Sequence, residues 1–151
     1  MQFKKFFLMI FTICLFMLSS CASTYIIFKK QSSLEFDLQP LTKEKILCEE
    51  DISKLPACIQ KYLHYTGAVG KAIPQNMYME FKAKMYSKPG DKAMNSSSVQ
   101  YNFFGNYSRL FFMKAHKAGI PVKALHIYKE QKASFQVKIA DLFKVVDISG
   151  D

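Results

Sequence analysis

Histidine, cysteine and acidic side chains are where a chain of this length could do chemistry, and here they are few and scattered. The three histidines are His64, His116 and His126. His64 falls in a helical stretch, while 116 and 126 flank a hairpin that turns near Gly119-Ile120, so 116 should face about 123 rather than 126. None of these pairs has metal-ligand spacing, and no second cysteine pair completes a ligand set. Glu49-Glu50-Asp51 offers carboxylates for acid–base work. Sequence neighbours point in different directions on a helix, however, so the cluster reads as a solvated helix end. No nucleophile elbow, phosphate-cradling glycine loop or dinucleotide fingerprint is present. No catalytic residue, metal or cofactor is expected, and an enzyme is not the leading reading.

The most informative thiol is Cys21. It closes Leu18-Ser19-Ser20-Cys21 at the end of an uncharged run, Phe6 to Leu18, that follows Lys4-Lys5. A basic start, an apolar stretch and small residues before a cut define an export signal. With the terminal cysteine, the stretch resembles a bacterial lipoprotein signal peptide. That resemblance implies lipidation at Cys21 and a body held outside the cytoplasm, on the membrane of the cell envelope. A rival reading keeps Phe6 to Phe28 as one uncut transmembrane helix with lysine pairs at both ends (Lys4-Lys5 and Lys29-Lys30), since about 20 mostly apolar residues span a bilayer. A third is a simple secreted form. The expected organisation is therefore residues 1–20 as signal peptide (or part of a 6–28 anchor), 21–41 as a tether and 42–151 as the folded domain.

Of the four cysteines, Cys14 lies in the apolar run. Cys48 and Cys58 remain for the body, where an exported compartment permits a disulfide across the Leu55-Pro56 bend; two unpaired, buried thiols are the alternative. The 151 residues carry a net charge of +9. The excess is uneven: residues 71–138 are lysine-rich and hold only Glu80, Asp91 and Glu130 as acids. Such a stretch suits anionic headgroups or an acidic partner, or is simply a wet sheet face. Nucleic acid is disfavoured by the export signal and by a lone arginine, Arg109, since arginine is the preferred fork for phosphate and base edges. Two glycosylation sequons, at Asn95 and Asn106, are discounted in a bacterial chain.

Gln31 to Pro40 lacks periodicity and reads as part of the tether. Thr42 caps a helix from Lys43 that presents Ile46, Leu47, Ile52 and Leu55. A second helix starts at Pro56, turns Ala57, Ile59, Tyr62 and Leu63 inward, and ends at Gly67 and Gly70. After Pro74 the period changes to two. Met77, Met79, Phe81, Ala83 and Met85 alternate with polar residues, which marks a strand. Further strands are expected over about 96–104, 109–115, 122–128 and 134–140, with 142–148 a strand or a short helix. The fold class is α+β: an N-terminal helical segment packed on a curved antiparallel meander, a partial half-barrel. A strand-like run reaching Asp151 suggests that the domain continues past it.

Leu55-Pro56, Ile59-Gln60-Lys61-Tyr62-Leu63 and the glycines 67 and 70 resemble the Leu-Pro, Val-Gln-Arg-Tyr-Leu, two-glycine pattern of an uncharacterised family of bacterial envelope proteins. Phe111-Phe112-Met113-Lys114-Ala115, Ile120-Pro121-Val122 and 142–147 extend the likeness over 53–151. The resemblance implies membrane attachment and a β-rich body but no catalytic residues. Bulky, adaptable side chains (Met77, Met79, Phe81, Met85, Phe111 and Met113) form a candidate hydrophobic ligand face, because methionine suits varied apolar ligands. A plain core under the helices is the alternative. The leading expectation is thus a membrane-anchored envelope domain binding a lipid or other hydrophobic molecule. The others are an envelope interaction protein without a small ligand, and the N-terminal part of a truncated hydrolase.

Overall fold

The computed structural model describes residues 23–39, 44–86 and 88–151. The chain forms two compact units: the chain up to Leu38 together with Asn76–Asp151, and Gln39–Gln75. Six strands dominate the first: β1 (Asn76–Met85), β2 (Met94–Phe103), β3 (Ser108–Lys117), β4 (Ile120–Lys129), β5 (Lys132–Ile139) and β6 (Phe143–Gly150). Each pairs antiparallel with its neighbour in sequence, in the order β1-β2-β3-β4-β5-β6. The outer strands β1 and β6 do not meet, so the sheet is open and the expected α+β meander is observed. The run from 142 resolves as a strand, not a helix.

Short hairpins set the register. Ala118-Gly119 (φ 51° and 80°) and Glu130-Gln131 (φ 51° and 61°) are two-residue connections in the left-handed region, whose twist matches that of paired strands. At Glu130 and Gln131 that conformation costs roughly 1 kcal/mol per residue, because a side chain crowds the following carbonyl. The extra residue of a bulge between Val137 and Lys138 shifts the β5–β6 register.

One face of the sheet is covered by helix α1 (Ser23–Asp37). Phe28, 1% exposed, enters the core with Phe103, Leu110, Phe112 and Leu125. Tyr25 packs on Phe112 with ring centroids 5.2 Å apart, and Phe36 meets Phe103 edge-on at 5.0 Å. Both helix ends are tied by polar groups. Thr24 donates its hydroxyl to buried Asp141, which also pairs with Lys123 at 3.0 Å. Eleven residues on, buried Glu35 accepts from Ser108 Oγ at 2.7 Å, from Asn106, and from Lys129 Nζ at 3.3 Å.

This corrects two expectations. Residues 23–37, read from sequence as part of a tether, form α1 and pack on the sheet, while 21, 22, 40 and 41 lie outside the described residues. Within this unit the helical cover of the sheet is α1, whereas the 42–66 region, expected to supply it, belongs to the second unit. Thr24 and Phe28 also belong to the folded body, so a membrane span over 6–28 would have to surrender its last turns to the core. Among the described residues no helix is long and apolar enough to cross a membrane; Cys14 and Cys21 lie outside them.

The second unit is held by a short antiparallel clasp, where Ile46 bridges Ala72 and Leu47 N–H donates to the Lys71 carbonyl at 2.9 Å. The helix expected from Lys43 shrinks to α2 (Glu49–Ile52), since residues 45–47 are drawn into the clasp. Ile52 is its buried residue. Helix α3 (Ala57–Tyr65) follows Pro56 and ends where Gly67 turns left-handed at φ 67°. None of its residues is buried. Ile59 and Tyr62, expected to face inward, are 43% and 62% exposed.

Candidate functional site

Alternation puts every second residue of a strand on one face, and the observed register shows which residues then meet. Met77, Met79, Phe81 and Met85 of β1 lie on the face opposite α1. Phe111 and Met113 of β3 join them, because Met79 aligns through Gln100 with Phe111, and Phe81 through Ser98 with Met113. The same rows continue through His126, Phe135 and Ile148, and through Ala124, Val137 and Val146. All six residues proposed from sequence as a ligand face thus share one side of the sheet, in two apolar strips on β1 and β3 separated by the polar β2 column Ser96, Ser98, Gln100 and Asn102. Met77, Phe81 and Met85 are about two-fifths exposed, at 41%, 45% and 38%. The core under α1 is built from the other face, so the two sides of the sheet are both apolar but differently used.

A polar group interrupts this open face toward the β2–β3 hairpin. Arg109 Nε donates to Asn102 Oδ1 at 3.2 Å, and Gln100 Nε2 donates to the same oxygen at 3.1 Å. His126 stands in the adjacent row, its ring 6.4 Å from Phe135. Burial, and then the charge of Arg109, lower its pKa. The face therefore offers two apolar strips, on β1 and β3, with one oriented cation at the end of the second. Sequence reasoning used Arg109 only against nucleic acid. The signal that places it here was its spacing of two from Phe111, which fixes a shared face once β3 is a strand.

The remaining candidates stay apart. Cys48 and Cys58 are free, exposed thiols, not the disulfide weighed from sequence, and not buried either. The Cys48 thiol donates to Asp51 at 3.0 Å, and this contact raises its pKa. Asp51 also accepts from Lys45 and from the Cys48 N–H at 3.1 Å, and the Lys45 contact holds its carboxyl well below the usual range. The acidic cluster is thus the first turn of a helix. His64 contacts Glu49 at 3.3 Å, and His116 aligns with Pro121 rather than 123. Among the described residues no group of three potential ligands could hold a metal.

The model of a family of unknown function, DUF6544, matches residues 45–151. The chain belongs to that family. The DUF6544 match takes in all six strands and most of the second unit, and begins after α1. It agrees with the expectation of an uncharacterised domain and carries no activity to assign. No curated protein and no solved structure matches the chain.

Proposed function

We propose that this DUF6544 protein is a non-enzymatic domain attached to the membrane of the bacterial envelope, and that the open sheet face holds the acyl chain of a membrane lipid. The observation that carries the reading is the gathering of Met77, Met79, Phe81, Phe111 and Met113 on one side of the sheet, flanking the polar β2 column, with Met77 and Phe81 exposed. Burying such surface is favourable at about 25 cal/mol per Å2, and methionine adapts to chains of varied shape. Arg109 supplies a cation for an acidic head. The leader, with its basic start, apolar run and Cys21, supports the location.

The full chain, purified from membranes and delipidated, should take up a fluorescent fatty acid saturably. Phe81→Glu with Met113→Glu should weaken uptake at least about tenfold, and Arg109→Gln a few-fold, in keeping with loss of apolar area and of one charged contact. No uptake, with no lipid retained in native mass spectra, would defeat the lipid reading. A protein reproducibly crosslinked through the same face would favour the interaction-protein reading instead. For the anchor, cells fed a clickable fatty acid should label the wild type but not Cys21→Ala; persistent label on the variant would count against lipidation at Cys21.

A further inference from the structure

One row of the sheet has a composition that folding alone does not favour. The register aligns Lys82 of β1, Ser97 of β2, Lys114 of β3, Lys123 of β4, Lys138 of β5 and Lys144 of β6. Every position but Ser97 is a lysine. Like charges directly opposite one another on neighbouring strands destabilise a sheet. The bulge after Val137 brings Lys144 into line rather than relieving the repulsion. Asp141 offsets Lys123, and Asp147 offsets Lys144. Among the described residues Lys82 and Lys114 form no ion pair, and Lys138 is offset only at a distance, its charge helping to lower the pKa of Asp147 after the contacts from Lys144 and Gln136. With strands about 4.8 Å apart, they recur across the sheet at intervals of roughly 10 Å.

The row lies near one end of the sheet, and that end is where the chain enters. Thr24, in the first turn of α1, is tied to Asp141 and through it to Lys123. Cys21 precedes Thr24 by three residues in the sequence. Beside the row a cleft of about 680 Å3 is lined by Lys82, Lys114 and Lys123 together with Tyr25 and Tyr78. Glu80 also borders this cleft, but its carboxylate is occupied by the Tyr78 hydroxyl, whose pKa is pushed up to about 12 by that contact. Lys84 and Lys117 extend the basic character past the row. Acids lie at both ends, Asp91, Asp141 and Asp147 near the row and Glu35, Asp37, Glu130 and Asp151 toward the other end, so the positive excess near the row comes from its lysines.

We infer that this lysine row, with its cleft, is a docking surface for the anionic phospholipid headgroups of the bilayer to which the chain is attached. The inference rests on the membrane attachment proposed above. Lysines near an anionic surface gain attraction within a Debye length of it. A row lying where the anchored end enters the domain can reach that surface without extending any linker, and tyrosines suit the headgroup zone. Repulsion within the row is relieved when phosphates lie against it.

The test uses the full chain purified from membranes and placed in nanodiscs of phosphatidylcholine, with or without phosphatidylglycerol. Acetylation of each lysine is then read by mass spectrometry. In the anionic discs Lys82, Lys114 and Lys138 should react about fivefold more slowly, while Lys129 and Lys132 at the far end keep their rates. The combined variant Lys82→Gln, Lys114→Gln, Lys138→Gln should melt at a higher temperature than the wild type, and protection of the neighbouring Lys84 in anionic discs should be lost. Equal rates in both discs with the chain retained would overturn the docking while leaving the anchor standing. Chain washed out of the discs would overturn both. Equal protection by inorganic phosphate over neutral discs would reassign the row to free phosphate and overturn docking to the bilayer.

Discussion

Helices α1 and α3 invert the usual relation between pattern and packing. Helix α3 has the cleaner apolar stripe, with Ile59, Tyr62 and Leu63, yet buries no residue. In α1 the residues that go under are Thr24, Phe28, Ser32 and Glu35, one face at spacings of four and three, of which only Phe28 is apolar. Ser32 satisfies itself by donating to the Phe28 carbonyl at 2.8 Å. Thr24 and Glu35 find their partners on the sheet. A helix can therefore dock through one buried ring, two half-exposed ones and two polar ties, and a stripe of apolar residues does not by itself bring burial.

The sharpest way to break this contrast is Phe28→Ala. Removing a ring from a filled core costs about 3–5 kcal/mol, which should appear as a large drop in the denaturant midpoint without loss of the sheet signal in circular dichroism of the surviving folded fraction. An unchanged midpoint would mean that α1 is not part of the core. Glu35→Ala should cost about 3 kcal/mol, because Lys129 and the Asn106 amide lose their acceptor together and the Ser108 hydroxyl is left with the longer contact to Asn106 Oδ1 at 3.1 Å. Glu35→Gln, which keeps an acceptor for Ser108, should cost less, and equal losses would argue against the hydrogen bond. On α3, Ile59→Ser and Tyr62→Ser should move stability by no more than about 0.5 kcal/mol, and its amides should exchange with solvent faster than those of α1. Slow exchange in α3 would show cover on it.

The smallest effect concerns protons. Asp51 is held low by Lys45, so its folded pKa lies below its unfolded value. The contribution to the second unit is then present above the ordinary carboxylate range and is lost only as pH falls through the depressed value. Carboxyl resonances should show Asp51 titrating last among the acids of that unit. Lys45→Ala should bring it back toward the ordinary value, and no movement would remove Lys45 as the cause.

Much of the sheet was legible because alternation is a direct property of strands. Once Met77 to Met85 reads with period two, the shared face of its odd positions follows, and the same parity groups Phe111 with Met113. The alignment of those two groups was not legible, since it depends on hairpin lengths and on the bulge at Val137/Lys138. For the same reason the lysine row is invisible in a sequence where its members are 6 to 17 residues apart. Helix α1 was missed because its buried side is mostly polar, and its partners, Asn106, Ser108, Lys123, Lys129 and Asp141, lie far along the chain. The short α2 was overextended because the pairing of 45–47 with 70–73 competes with helix there.

The meander joins only strands adjacent in sequence, so nearly all of its contacts close short loops. Thr24 and Asp141, by contrast, are 117 residues apart. Closing so long a loop carries an entropy cost that is recovered only once the strands it spans are in place. Although α1 precedes every strand in the chain, its docking should therefore come late in folding. Phe28→Ala should accordingly speed unfolding while leaving the refolding rate nearly unchanged; a refolding rate that slowed in step with stability would put α1 in the nucleus instead.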